Sequence, residues 1–215
     1  TEPCVVGKPP AEESVRNLLC CVATAAYHHP DSGVSPREAA EKAWDFAPEY
    51  LTALFLGNAL PEEKQDETAQ TLSSLLHIPA PVLKAGKLRY TLDQFRRSVL
   101  PGKEAGAYDG RYLMNGVGQP GNFPMPGMID PVAEDPAMGM YTPAFIGGMN
   151  LLRGEMELPE SVYTAISFSV NGRWNYQSNR APLASLENAM RRNGSMRLFF
   201  GTGLFDLVTV PGNVR

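Results

Sequence analysis

The chain has 215 residues, enough to bury a substantial core in one large domain or two small ones, and 43% of them are hydrophobic. A net charge of -4, with both signs interspersed and no basic run, argues against nucleic acid as a main partner. No apolar stretch approaches the roughly 20 residues that cross a bilayer, and the opening residues Thr1 to Pro10 are too polar for a secretory leader. The chain starts without an initiator Met and reads as processed, cut, or taken from a longer polypeptide. Cys4, Cys20 and Cys21 are an odd set with two adjacent members, which is no disulfide framework. Cys20 and Cys21 fall inside an apolar helical pattern, where free Cys acts as a small hydrophobe. The compartment stays open between cytoplasm and export.

Residues 12–29 read as a helix with Val15, Leu18, Leu19, Val22, Ala25 and Ala26 on or near one face. Ser35-Pro36-Arg37-Glu38 is a capping box with Pro at the first helical position. It opens a second helix through Ala39, Ala43, Ala47, Tyr50, Leu51 and Leu54 that ends before Gly57-Asn58. Pro61-Glu62-Glu63 starts a third, with Ala69, Leu72 and Leu76 on one side and a stop at Ile78-Pro79. A short helix is predicted over 81–85. Thr91-Leu92-Asp93-Gln94 is a further capping box leading into Phe95 and Val99. Residues 1–100 therefore read as a helical layer without a strand.

From Pro101 to about Tyr141, Gly and Pro are dense and Met114, Met125, Met128, Met138 and Met140 are interleaved, so this region reads as a long ordered loop. The methionines either pack that loop onto the body or line an adaptable pocket. Thr142-Pro143 is expected to cap a helix through Phe145, Met149, Leu152 and Met156, which completes a segment over 101–160. Residues 161–169 fit strand or helix, and Val170 to Tyr176 form a polar, aromatic turn.

Leu183, Leu186 and Met190 recur at helical spacing over 182–193, with Arg191 and Arg192 in the last turn and Asn193-Gly194 as the stop. Met196 to Phe200, bounded by Gly194 and Gly201, is an almost uncharged run that predicts a buried strand over 196–201. Helix, tight turn, buried strand, glycine-rich loop and a lone carboxylate, Asp206, compose one unit of an open α/β sheet. In such sheets the working groups lie beyond the carboxyl ends of the strands. The fold class predicted is α/β, dominated by helices, with residues 161–215 returning to the sheet.

Gly201-Thr202-Gly203 is no dinucleotide fingerprint, because its third glycine would fall on Asp206 and no adequate helix follows. His28-His29 and His77 read as solvent-facing helix ends; adjacent histidines on a helix diverge, and no partner stands at ligand spacing, so no metal is expected. Asp206 is either a turn or cap residue or a catalytic acid. No Gly-x-Ser-x-Gly elbow occurs, and all three histidines precede Asp206, whereas the α/β-hydrolase order is Ser, Asp, His.

Several pieces in order resemble the serine carboxypeptidase family of α/β-hydrolases, in its bacterial branch. They are Ala23 to His28, Phe46 to Leu54 with Gly57-Asn58, Gly106-Ala-Tyr-Asp109-Gly-Arg111-Tyr112, Asp135-Pro136, Tyr141 to Phe145, Asn171-Gly-Arg-Trp174-Asn175-Tyr176, and Gly203-Leu-Phe-Asp206-Leu-Val-Thr-Val-Pro211. The resemblance runs from about Ser14 to Asn213. It implies a partial α/β-hydrolase: a helical lid with one or two core-sheet elements, Asp206 standing where the family carries its triad acid. Asn171, Trp174, Asn175 and Tyr176 are then candidates for the substrate pocket, with no cofactor. The implied partners are a peptide or acyl substrate and the rest of the sheet, supplied by flanking polypeptide, another chain or a symmetry mate. The nucleophile and the histidine would lie outside Thr1 to Arg215, leaving this chain alone inactive. A non-catalytic helical binding or regulatory module, and an esterase or acyltransferase on the same fold, stay open.

Overall fold

In the computed structural model, which describes residues 10–115, 135–159, 161, 163–165, 167–175 and 182–214, helix α1 (Ala11–His28) is buried around most of its circumference. Leu18 through Ala26 are all buried, consecutively, which no one-sided amphipathic helix allows. The reason is its neighbours: α2 (Pro36–Leu56), α3 (Glu62–Leu76), α5 (Leu92–Ser98) and a C-terminal turn at Pro211–Asn213 all pack on it. Small residues permit the approach. Ala39, Ala43 and Ala47 of α2 and Ala69 of α3 are buried in the same core as Cys21 and Ala25. α4 (Ala80–Ala85) packs on α3.

Both capping boxes form. Ser35 Oγ accepts from Glu38 N at 3.3 Å while Ser35 N donates to Glu38 Oε2 at 3.0 Å, and Thr91 and Gln94 do the same at 3.1 and 3.0 Å. At its other end α2 is tied to residues from far along the chain. Arg89 Nη2 donates to Leu54 O at 3.0 Å, one of the carbonyls a helix end leaves without a partner, and buried Tyr50 donates its hydroxyl to Leu88 O at 2.6 Å.

Residues 101–115 are not the loop that their glycine and proline content predicts. β1 (Lys103–Ala105) and β2 (Leu113–Asn115) pair antiparallel, with Lys103 opposite Asn115 and Ala105 opposite Leu113. Gly106 N donates to Tyr112 O at 2.9 Å and carries the pairing one step further, so residues 107–111 are the tip of a hairpin. Each strand is too short to show a period of two, which is why the pattern was not legible. Residues 116–134, with Met125 and Met128, lie outside the described residues; Met138 is buried and Met140 exposed.

α6 (Pro136–Glu155) begins six residues before the expected Thr142-Pro143 cap, and Pro143 lies inside it. Asp135 is the true cap: its Oδ1 accepts from Ala137 N at 3.0 Å and Met138 N at 3.1 Å, with Pro136 at the first helical position.

His77 is exposed at the end of α3, as the sequence suggests, but His28 and His29 are not at a solvent-facing end. His28 and His29 are partly buried and bond to Gly110 O and Val99 O, each at 2.8 Å, because the hairpin tip and the end of α5 close over the end of α1. The His29 and His77 rings stack 3.8 Å apart within 3° of parallel. Burial first, and the neighbouring His29 as well, hold the His28 and His77 pKa values below the ordinary 6.5. The unfolded chain therefore binds more protons between the folded value and 6.5, and stability falls as pH drops through that window. Chemical denaturation at pH 7.5 and 5.5 is expected to show this loss, and a smaller loss in His77→Gln. Equal losses in the two proteins would remove the stacked pair as its source.

The chain forms two compact units, one of Thr1–Pro143 with Thr202–Arg215 and one of Ala144–Gly201. In the first, Leu207 and Val210 join the core of α1 to α5, and Leu204 and Phe205 pack against Leu19, Ala23 and Ala40. Gly212 lies against the α1 backbone: a Cβ there would stand 2.7 Å from Arg16 Cα.

The second unit contains the remainder of α6, α7 (Phe168–Asn171) and α8 (Pro182–Arg192), the last where its spacing predicts it. None of its described residues is buried. The buried strand expected over 196–201 is not formed. Phe199 is 91% exposed, Leu198 and Phe200 are exposed, and residues 197–202 donate no backbone hydrogen bond among the described residues. A strand needs a neighbour to pair with, and the one sheet among the described residues is the two-stranded hairpin of the first unit. The described architecture is thus helix-dominated, and the parallel sheet of an α/β fold is not formed by these residues.

Candidate functional site

Asp206 sits in a tight turn on the first unit. Its N–H donates to Gly203 O at 3.2 Å, and its Oδ1 accepts from Val208 N at 2.8 Å and Thr209 N at 2.7 Å. This is the local bonding that makes Asp a turn residue. Among the described residues Oδ2 accepts nothing, and the residue is only half-buried.

The two neighbours of Asp206 are held by the hairpin tip. Gly110 N donates to Phe205 O and Leu207 N donates to Ala107 O, both at 2.9 Å. Arg111 lies over the Phe205 ring, its guanidinium carbon 4.9 Å from the centroid, and Tyr27 meets the same ring edge-on at 5.7 Å. Arg111 is itself gripped by Asp109. Nε donates to Oδ1 at 2.9 Å and Nη2 to Oδ2 at 2.6 Å, and the Arg111 N–H adds a third bond to Oδ1 at 3.1 Å. Tyr141 of α6 donates its hydroxyl to Asp109 Oδ2 at 3.0 Å.

Asp109 is 7% exposed. Burial raises its carboxyl pKa, but the Arg111 side chain and N–H and the Tyr141 hydroxyl outweigh it and hold the group below the usual carboxylate range. The same bond, against some desolvation, raises Arg111. Tyr141 is raised by its contact with Tyr112, by burial and by Asp109.

The hairpin tip is in turn anchored on three sides. A Cβ on Gly110 would meet Thr24 Oγ1 at 2.5 Å and Cγ2 at 2.8 Å, so only glycine lets the tip lie this close to α1. The Gly110 carbonyl takes the His28 bond, with the proton on Nε2. Asp135 Oδ2 accepts from Ala107 N at 2.5 Å, with Arg96 Nη2 3.9 Å away. Arg96 also reaches Ala105 O at 2.7 Å and Glu104 at 2.9 Å. One carboxylate therefore starts α6 and fixes the tip that holds the Asp206 turn.

Of the other candidates, Asn171 is the last residue of α7, Trp174 is 66% exposed, Asn175 lies in the same unit, and Tyr176 is outside the described residues. These belong to the second unit and Asp206 to the first. Two cavities, of about 470 and 460 Å³, are lined by residues of α1 and α2 and by residues 78–98, and neither includes Asp206. Among the described residues no group of three or more His, Cys, Asp or Glu is placed to hold a metal, and no helix is long and apolar enough to cross a membrane. The roles of Arg96, Tyr141 and Phe205 had no sequence signal, because each depends on contacts made across the fold. Asp135-Pro136 did carry one: Asp followed by Pro is a cap and first-turn pair.

Comparison of the chain with family models, curated proteins and solved structures finds no significant match.

Proposed function

We propose that the chain is part of an α/β-hydrolase. Within that class it is read as a serine carboxypeptidase-like enzyme that removes C-terminal residues from peptides, with Asp206 as the acid of its triad. The single observation that carries the reading is the asymmetry of that carboxylate. Oδ1 is committed to two backbone N–H groups, while Oδ2 accepts nothing among the described residues. A turn role accounts for Oδ1 and favours the rival reading, a helical binding module without chemistry. It gives no reason for the run 197–202, which carries Leu198, Phe199 and Phe200 exposed, has no backbone partner among the described residues, and leads into the turn. Such a run fits a strand completed by neighbours from polypeptide outside the described residues, as flanking segments, another chain or a symmetry-related copy. The uncovered apolar residues of the second unit fit the same reading.

In the complete enzyme a serine attacks the last peptide carbonyl, a histidine takes its proton and passes it to the departing amine, and backbone donors hold the oxyanion. Water then releases the acyl group by the same relay. Asp206 Oδ2 accepts the imidazole N–H, fixes the tautomer and stabilises the imidazolium. The helices of the first unit correspond in this reading to the family's lid, and Asn171, Trp174, Asn175 and Tyr176 are carried over from the resemblance as candidates for substrate binding.

A polypeptide carrying these residues together with the sheet-forming flanks is expected to take one fluorophosphonate label and to release C-terminal amino acids from a short peptide. Residues 1–215 alone, with no Gly-x-Ser-x-Gly elbow, are expected to take none. A longer polypeptide that neither labels nor cleaves would overturn the hydrolase reading and leave the binding module.

A further inference from the structure

We propose that the Asp109–Arg111 pair is a positioning device for Asp206, an inference that takes the catalytic role of Asp206 from the reading above. No hydrogen bond or ion pair joins Asp206 to either residue, so the coupling runs through its two neighbours. Phe205 is held by its carbonyl, which accepts from Gly110 N, and by its ring, which lies under the Arg111 guanidinium. Leu207 is held by its N–H, which donates to Ala107 O. Both clamps belong to one hairpin tip. A tip this short, joined to two three-residue strands, has little stiffness of its own. Asp109 supplies it: by binding Arg111 N, Nε and Nη2 together, it closes the turn Asp109 to Arg111 and sets the plane of the guanidinium over Phe205. Tyr141 restrains the same carboxylate from α6.

A surface ion pair would be worth little, but Asp109 is nearly buried and hydrogen-bonded on both oxygens, so its geometry is over-determined. The consequence for chemistry is direct. A displacement of about 1 Å in a reacting geometry costs on the order of a hundredfold in rate. The turn that carries Asp206 is tied to the hairpin by two backbone hydrogen bonds, and Arg111 limits how far it rocks about them.

The test reads the turn itself, on residues 1–215, by site-resolved amide exchange. Arg111→Met keeps the aliphatic stem and removes the guanidinium. It is expected to speed exchange of the Val208 and Thr209 amides, the two that donate to Asp206, by about tenfold or more, with the amides of Val22 and Ala26 in α1 unchanged. Arg111→Lys keeps the charge for Asp109 without the flat fork and is expected to recover only part of the protection. Phe205→Leu removes the ring alone and gives the same local effect should Arg111→Met fail to fold. Unchanged exchange at Val208 and Thr209 in Arg111→Met, or in Phe205→Leu where the former does not fold, would overturn the proposal. In the complete hydrolase the same variant is expected to lower kcat with KM held; a raised KM with kcat held would instead make Arg111 a substrate contact. The exchange result does not depend on activity, so a failure of the triad reading leaves it legible.

Discussion

Asp206→Asn is expected to lower turnover of the complete hydrolase by about four decades, the scale seen when the acid of a serine protease triad is so replaced, with little change in stability. The separation of the two effects follows from the two oxygens. Asn keeps a carbonyl oxygen where Oδ1 accepts from Val208 and Thr209, so the turn survives. The other position becomes an NH₂ donor, which faces the imidazole N–H with a second donor and favours the wrong tautomer. Asp206→Ala is the companion variant. It removes both oxygens, and should cost about 1 kcal/mol of stability as well as the activity, as loss of a side-chain cap does. Turnover within tenfold of wild type in the Asn variant would reduce Asp206 to a turn residue. Thermal melts of both variants, beside peptide-release kinetics, measure the two effects separately.

Asp135→Ala is expected to be the most destabilising substitution near the site, by about 3 kcal/mol. Three roles are lost together. The cap of α6 disappears, the Ala107 N–H loses its acceptor, and Arg96 loses one of the three carboxylates beside it. The side chain is almost fully buried, so water does not restore these bonds. For a unit of this size the loss corresponds to a fall in Tm of about 6 to 12 °C. Asp135→Ser distinguishes the roles: serine caps a helix but is too short to reach Ala107 as well. Its melting temperature should fall between those of wild type and the Ala variant. An Asp135→Ala protein that melts within about 2 °C of wild type would show the bridge to Ala107 to be without weight.

The helical half of the fold was legible because its signals are local. Ser35 with Glu38 and Thr91 with Gln94 are read within four residues, and each forms the reciprocal pair its spacing predicts. The apolar rows of α2 and α3 face the core as their periodicity requires, except Leu51 of α2, which is exposed. α6 was placed late because Gly139, Gly147 and Gly148 weaken its pattern, and its cap carries a second bond, to Ala107, that no spacing reveals. The histidines illustrate the converse: being at a helix end says where His28 and His29 lie along the chain, and nothing of what folds over them.

Residues 196–201 show where composition stops. An apolar run between glycines has the makings of a buried strand, but backbone pairing is a property of two segments, and Phe199 stays exposed where the second is not supplied. Asp206 shows the same division at the site. From sequence alone came its candidacy, the helices that pack beside it, and the absence of an elbow serine from these 215 residues. Only the tertiary structure decided that one of its oxygens is bound and the other without a partner among the described residues, and that its neighbours rest on the tip between β1 and β2. The physical reason is separation along the chain. Phe205 and Leu207 meet residues 107–111 and α1 only after some hundred residues or more of intervening chain have folded, and no local pattern encodes a contact of that span.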